Sequence, residues 1–213
     1  MDLNTRSNPI SIFYTLRGED TSMARALGYG FYERDPAEVA RALLGKTLVR
    51  RLGSDRLEGI IVETEAYYGE GDPASRAFKG LKSYNEVMWG EPGRLFVYNV
   101  HRYWMLNFVA HRPGSVGGIL IRALEPTAGV DRMLLNRQAD KLTDLTSGPG
   151  KLSVALAVDK SLNGVDATDE GCPVHVMHGD LEPEAASSHR VGVTKDLPEK
   201  LRFYVKDNRF VSR

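Results

Sequence analysis

The chain has 213 residues, 42% of them hydrophobic and 26% charged. That length suffices for one large domain burying ~70% of its unfolded surface, and the ordinary composition argues against disorder or a repeat architecture. Lys+Arg and Asp+Glu are both 28, so any nucleic-acid binding has to come from local charge asymmetry rather than net charge. No apolar run approaches the ~20 residues of a membrane span, and no charged segment precedes an apolar stretch with a cleavage site, which reads as a soluble intracellular protein. The single cysteine, Cys172, excludes an intrachain disulfide and any zinc site with two thiolates.

Residues 1–22 are polar with one apolar island, Ile10 to Leu16, and read as an N-terminal arm, with the domain proper spanning 23–213. Asp35-Pro36-Ala37-Glu38 then supplies an N-cap acid, a proline at the first helical position and a glutamate three residues after the cap. Val39, Ala40, Leu43 and Leu44 continue at helical spacing up to Gly45, which predicts a short helix.

Thr47 to Leu52 and Leu57 to Ala66 flank Gly53-Ser54-Asp55 and predict a β-hairpin. Further strands are expected at Arg94 to Val100, Trp104 to Ala110, Gly118 to Leu124, Pro173 to Met177 and Leu201 to Lys206, with helices at Thr127 to Ala139 and Ser147 to Val158. Short links favour antiparallel pairing, and the absence of regular βαβ alternation predicts a single α+β domain around a largely antiparallel β-sheet with flanking helices.

Two basic segments stand out. Lys46, Arg50, Arg51 and Arg56 face one acid, Asp55, within residues 46–56, and the tail after His189 holds seven basic residues against three acidic ones. Either is also what a solvated strand face would show.

In Ile61-Val62-Glu63-Thr64-Glu65-Ala66-Tyr67, two-residue periodicity puts Glu63 and Glu65 on the same face as Ile61, about 7 Å apart. Carboxylates on an apolar face need partners, either as a structural ion pair or as a general base tuned by its surroundings. Arg122, inside the apolar run Gly118 to Leu124, is the natural partner, because a guanidinium there is costly unless paired. Aromatics cluster nearby: Tyr67, Tyr68, Phe78, Tyr84, Trp89, Phe96, Tyr98, Tyr103 and Trp104. At least half read as core, and the rest suit a slot that stacks a flat ring. Ser147-Gly148-Pro149-Gly150-Lys151 opens a helix and reads equally as a phosphate cradle or a plain turn; Leu145 and Leu152 stand where a Walker loop needs Gly and Ser or Thr. His175 and His178 are a weak metal signal, and no hydrolase elbow or dinucleotide fingerprint is present.

Six ordered motifs carry a resemblance. Leu43 to Arg50, Ile61 to Tyr67, Pro92 to Tyr98, Leu120 to Pro126, Ser147 to Leu152 and Leu201 to Val205 are similar to segments of the alkyladenine (3-methyladenine) DNA glycosylase family, over about Asp35 to the C-terminus. The resemblance implies a monofunctional glycosylase of base excision repair that takes double-stranded DNA containing a damaged purine, alkylated or deaminated. It flips the purine out and hydrolyses its N-glycosidic bond, leaving an abasic site. It also implies a monomer, cytoplasmic or DNA-associated, with no membrane, cofactor or metal.

By motif position Glu65 resembles the general base and Arg122 the arginine beside it. Tyr67 and Tyr98 match the aromatics that sandwich the flipped base, and Asn107 the asparagine that crowds the amino group of guanine. Lys151 and His101 are expected on the DNA. Two positions depart from the family pattern. Arg76 replaces a base-contacting histidine, and the segment between Tyr98 and Asn107 is one residue short, with His101 nearest the intercalating position. Two competing readings are a nucleic-acid-binding module of this fold with weak or no catalysis and a small-molecule glycoside hydrolase using Glu63 and Glu65 as its carboxylate pair.

Overall fold

A computed structural model describes residues 25–179 and 181–212. The 1–22 arm lies outside them. After a one-turn helix α1 (Tyr29–Tyr32), helix α2 (Pro36–Ala42) starts as expected: Asp35 accepts from the Ala37 amide at 2.9 Å and Pro36 fills the first turn, where no intrahelical donor is needed. Glu38 does not return to the cap and instead pairs with Arg112 at 3.1 Å.

Strands β1 (Thr47–Leu52) and β2 (Asp55–Tyr67) form the predicted hairpin, with Leu52 opposite Asp55 across the turn. Next come β3 (Leu95–Val100), β4 (Tyr103–Val109) and β5 (Gly118–Ala128). Three short helices lie beyond them: α3 (Val130–Asn136), α4 (Leu142–Leu145) and α5 (Pro149–Ala155). The expected helix from Thr127 starts later because β5 runs on through Ala128. Strands β6 (Val174–Met177), β7 (Ala185–Ser188) and β8 (Arg202–Val205) complete an eight-stranded sheet whose pairings are all antiparallel. The protein is thus a single α+β domain, and no described helix is long and apolar enough to cross a membrane.

Strand β2 organises the sheet. One edge pairs with β5 over Glu58 to Tyr67; the other pairs with β1 over Asp55 to Ile60 and with β8 over Glu63 to Glu65. At the change of partner the register with β5 shifts on both sides of Glu63, a bulge that inserts a residue. The bulge corrects a sequence expectation, since an inserted residue moves the side chains beyond it to the other face. Ile61 and Ala66 share the main core, and the Thr64 hydroxyl donates to Ala40 of α2 at 2.8 Å. Glu63 and Glu65 therefore point away from Ile61, toward Arg122.

The core lies between this sheet and helices α2, α3 and α5 and includes Leu43, Leu48, Leu57, Ile61, Phe108, Ile121 and Leu152, all fully buried. Of the clustered aromatics Phe96 is buried; Tyr68, Trp89, Tyr98 and Trp104 pack against core clusters, while Phe78 and Tyr84 are exposed. Gly117 lies at a pinch point. A Cβ there would meet Pro36 Cγ at 2.6 Å, the Ala110 carbonyl at 2.8 Å and the Tyr67 carbonyl at 2.9 Å, so only glycine lets β5 begin beside the end of β2.

Candidate active site

The end of β2, the start of β5, the β3–β4 hairpin and two loops, 68–78 and 189–196, enclose a cleft of about 640 Å³. Tyr67, Arg76, Tyr98, Met105, Arg122 and Val191 are among its lining residues. Beneath it lies a buried network of carboxylates and guanidinia. Arg122 donates from Nε to Glu63 at 2.7 Å and from Nη1 to Glu65 at 3.1 Å. Both glutamate side chains are fully buried and that of Arg122 is 7% exposed. Arg202 of β8 reaches Glu63 at 2.7 Å, and Ser212 donates to it from its amide at 2.6 Å and its hydroxyl at 2.8 Å. Burial alone would raise the Glu63 carboxyl, but the Arg122 charge and the Arg202 and Ser212 hydrogen bonds outweigh it and hold the group below the usual carboxylate range.

Glu65 has a different shell. Its Oε2 accepts from Arg122 and from the Tyr67 hydroxyl at 2.8 Å, and its Oε1 accepts one bond, from the Val191 amide at 2.7 Å. A carboxylate offers about four acceptor sites, so Oε1 retains capacity for a further donor. Tyr67, Arg122 and Val191, the groups that hold Glu65, all line the cleft, which brings the carboxylate against its floor. Burial first, and then the neighbouring Glu65 charge, push the Tyr67 hydroxyl well above its ordinary value, so it stays protonated and donates.

The walls are joined by Arg190, whose side chain is fully buried. It meets Asp72 with two parallel bonds of 2.6 and 2.7 Å, Asp196 at 2.6 Å and the Ala66 carbonyl at 2.9 Å, and its Cζ lies 4.5 Å from the centre of the Tyr67 ring. Asp72 also accepts from the Tyr68 and Ala74 amides, each at 3.0 Å. One guanidinium thereby ties loop 68–78 to loop 189–196 and supports a cleft aromatic from behind. Neither Arg190 nor its acids stand out in the sequence, where they belong to a basic tail and a turn-rich loop.

Tyr98 and Arg76 form the opposite side. The Arg76 Cζ lies 4.6 Å from the Tyr98 ring centre, and the Arg76 carbonyl accepts from the buried Asn85 side chain at 2.7 Å, which fixes the loop that carries it. Asn107 sits at the inner end of the cleft with Tyr67, Met88, Phe96 and Tyr98. Its amide nitrogen donates to the Phe96 carbonyl at 2.9 Å and the Met105 carbonyl at 3.1 Å, which leaves Oδ1 as the group a ligand would meet.

Two anticipated residues lie elsewhere. His101 is exposed at the tip of the β3–β4 hairpin, where Val100 pairs with Tyr103, and it adopts a φ of 53°. Val100, not His101, lines the cleft. Lys151 lines an adjoining pocket of about 360 Å³ together with Arg122, Lys141 and Arg209, and its Nζ is 3.0 Å from Asp144. His175 is buried, with Nδ1 3.4 Å from the Cys172 carbonyl, and no group of three or more His, Cys, Asp or Glu among the described residues could hold a metal ion.

The fold and site define a protein with a buried carboxylate–arginine pair beneath an aromatic cleft open at one face of a sheet. The model of the family Methylpurine-DNA glycosylase (MPG) matches residues 30–209, and the chain belongs to that family. Relatives include a protein of Aeropyrum pernix, 40% identical over 90% of this chain and 95% of its own length. Others come from Mesorhizobium japonicum, 43% identical over 84% of this chain and 86% of its own, and from Methanocella arvoryzae, 42% identical over 86% and 94%. Each bears the name "Putative 3-methyladenine DNA glycosylase".

Proposed function

We propose that the protein removes damaged purines, alkylated or deaminated, from duplex DNA in base excision repair by flipping the nucleotide into the cleft and hydrolysing its N-glycosidic bond. The observation that carries the reading is Glu65: a buried carboxylate against the cleft floor, oriented by three donors and retaining acceptor capacity on Oε1. In this reading Glu65 Oε1 accepts a proton from a water whose oxygen attacks the anomeric carbon. The glycosidic electron pair leaves with the purine, and the abasic sugar keeps the water oxygen. The carboxylate charge also stabilises the oxocarbenium-like state that develops between these events.

Arg122 pairs with Glu65 and fixes its position, while Tyr67 and Tyr98 supply flat surfaces for an extruded base. Asn107 Oδ1 marks the inner end of the slot, and the hairpin bearing His101 faces the gap left in the duplex. Lys151 and its basic neighbours suit the DNA backbone. Such a site works as a monomer, uses no cofactor, and forms no covalent bond to the protein. The alternative of an acid pair in a sugar hydrolase loses its second acid, because Glu63 already accepts four hydrogen bonds from Arg122, Arg202 and Ser212 and is held ionised by them.

The test uses duplexes each holding one lesion, 3-methyladenine, 7-methylguanine, hypoxanthine or ethenoadenine, with alkaline cleavage of abasic sites as readout. Glu65→Gln is expected to retain lesion binding in a gel-shift assay while single-turnover removal falls ~100-fold or more. Near wild-type removal by that variant would refute the mechanism. A protein–DNA adduct trapped by borohydride would replace water with an amine nucleophile.

A further inference from the structure

We propose that Arg76 sets the charge selectivity of the cleft, so that neutral damaged purines are removed in preference to cationic N-alkylpurines; this rests on the glycosylase reading above. The inference begins with the charges around the slot. Arg122, Arg202 and Arg190 are bound to Glu63, Glu65, Asp72 and Asp196, so three guanidinia meet four carboxylates, and each of them is engaged by hydrogen bonds or ion pairs at 2.6 to 3.1 Å. Taken alone this set is one negative charge in excess, a surrounding that would welcome a cation. Arg76 cancels the excess. It has no carboxylate within ion-pair distance among the described residues, and Lys195, a cleft-lining cation likewise outside every ion pair among them, has the same sign.

The placement of Arg76 makes its charge hard for a substrate to avoid. Its guanidinium covers the ring of Tyr98, and the space remaining at the inner end, between Tyr67, Tyr98 and Asn107, is about 10 Å³, far less than a purine occupies. A flat base therefore either stays in the 640 Å³ cleft, which Arg76 also lines, or pushes Arg76 along the Tyr98 face to go deeper, and in both cases it comes to rest beside a permanent cation. Adenine alkylated at N3 and guanine alkylated at N7 carry a positive charge in DNA and meet like-charge repulsion there. Hypoxanthine is neutral and presents an O6 acceptor to a side chain that has donors only.

The experiment compares single-turnover removal of hypoxanthine and 7-methylguanine from otherwise identical duplexes by wild type, Arg76→Gln and Arg76→Lys. Arg76→Gln is expected to lower the hypoxanthine-to-7-methylguanine rate ratio by ~10-fold or more, the scale for removing one unit charge at contact distance, while Arg76→Lys retains the wild-type ratio. The side chain is exposed and its loop is held through main-chain bonds, so both variants should fold; melting temperatures check this. A ratio unchanged or raised in Arg76→Gln overturns the proposal, including the case in which both rates fall together because Arg76 serves a phosphate instead. If wild type removes neither base, the glycosylase reading itself fails and the proposal falls with it, an outcome distinct from an unchanged ratio.

Discussion

Glu63 and Glu65 stand two residues apart on one strand, share Arg122, and are equally buried, yet their surroundings differ. Glu63 looks away from the cleft into Arg202 and the Ser212 segment, where four donors converge on it. Glu65 looks toward the cleft, and its donors are themselves cleft-lining groups. The bulge at the change of β2 partner lets both happen: β8 brings Arg202 directly opposite Glu65 in the ladder, and its guanidinium leans across to Glu63. A carboxylate enclosed by four donors away from the cleft has no acceptor site to spare, whereas one with a site to spare at the cleft floor has the placement that the proposed general base requires.

The division predicts separable losses. Glu63→Gln turns two donors of its own toward Arg122, Arg202 or Ser212 and leaves a buried guanidinium short of a counter-charge, so urea denaturation should show a loss of ~3–5 kcal/mol. Glu65→Gln can keep its carbonyl toward Arg122 and Tyr67 and turn its nitrogen to the single Val191 donor, and Arg122 retains Glu63, so it should cost clearly less stability while abolishing most activity. Equal destabilisation by the two would break the comparison.

Acid sharpens it further. The Glu63 carboxyl is held low in the folded protein, so its contribution is fully present above the unfolded value of about 4.3 and is lost as pH falls through the lower folded value. Asp196, where burial would raise the carboxyl but the Arg190 hydrogen bond and charge prevail, is held low and acts in the same window. Melting temperature should accordingly fall as pH drops below about 4.3 in wild type, and less steeply in Glu63→Gln.

The smallest effect is expected at the rim. Lys151 makes a half-exposed pair with Asp144 and supports no buried group, so Lys151→Ala should leave the melting temperature unchanged. In the same variant the salt dependence of DNA binding should lose about one unit of slope, the signature of one phosphate contact. An unchanged slope would remove Lys151 from the DNA surface.

Much of this is legible in the chain because local chemistry dictates it. Asp35-Pro36 followed by apolar residues at helical spacing marks a helix start, and Arg122 in an apolar strand is costly unless paired. The exceptions share a cause: long-range contacts leave no period in the sequence. Arg190 finds Asp72 118 positions away, both in loops. The bulge at Glu63 leaves no trace in a run of Ile, Ile, Val and Glu that alternates as well without it, so Ile61 and the glutamates read as sharing one face. Strand β7, Ala185-Ala186-Ser187-Ser188, has little intrinsic β preference and exists through its pairing with β8. His101 occupies a hairpin position whose positive φ favours glycine, a demand that only the backbone reveals.

The Arg190 junction also bears on how the cleft breathes. Residues 66, 72, 190 and 196 meet at one guanidinium, and Val191, next along the chain, donates a hydrogen bond from its amide to Glu65. Neither wall can detach without stranding a buried charge, so the two loops should open as one cooperative unit at a free energy well above that of ordinary surface loops. The Val191 amide is a built-in reporter of that opening: its hydrogen exchange should be slow despite its place in a loop, and should track the exchange of the Ala74 amide across the cleft.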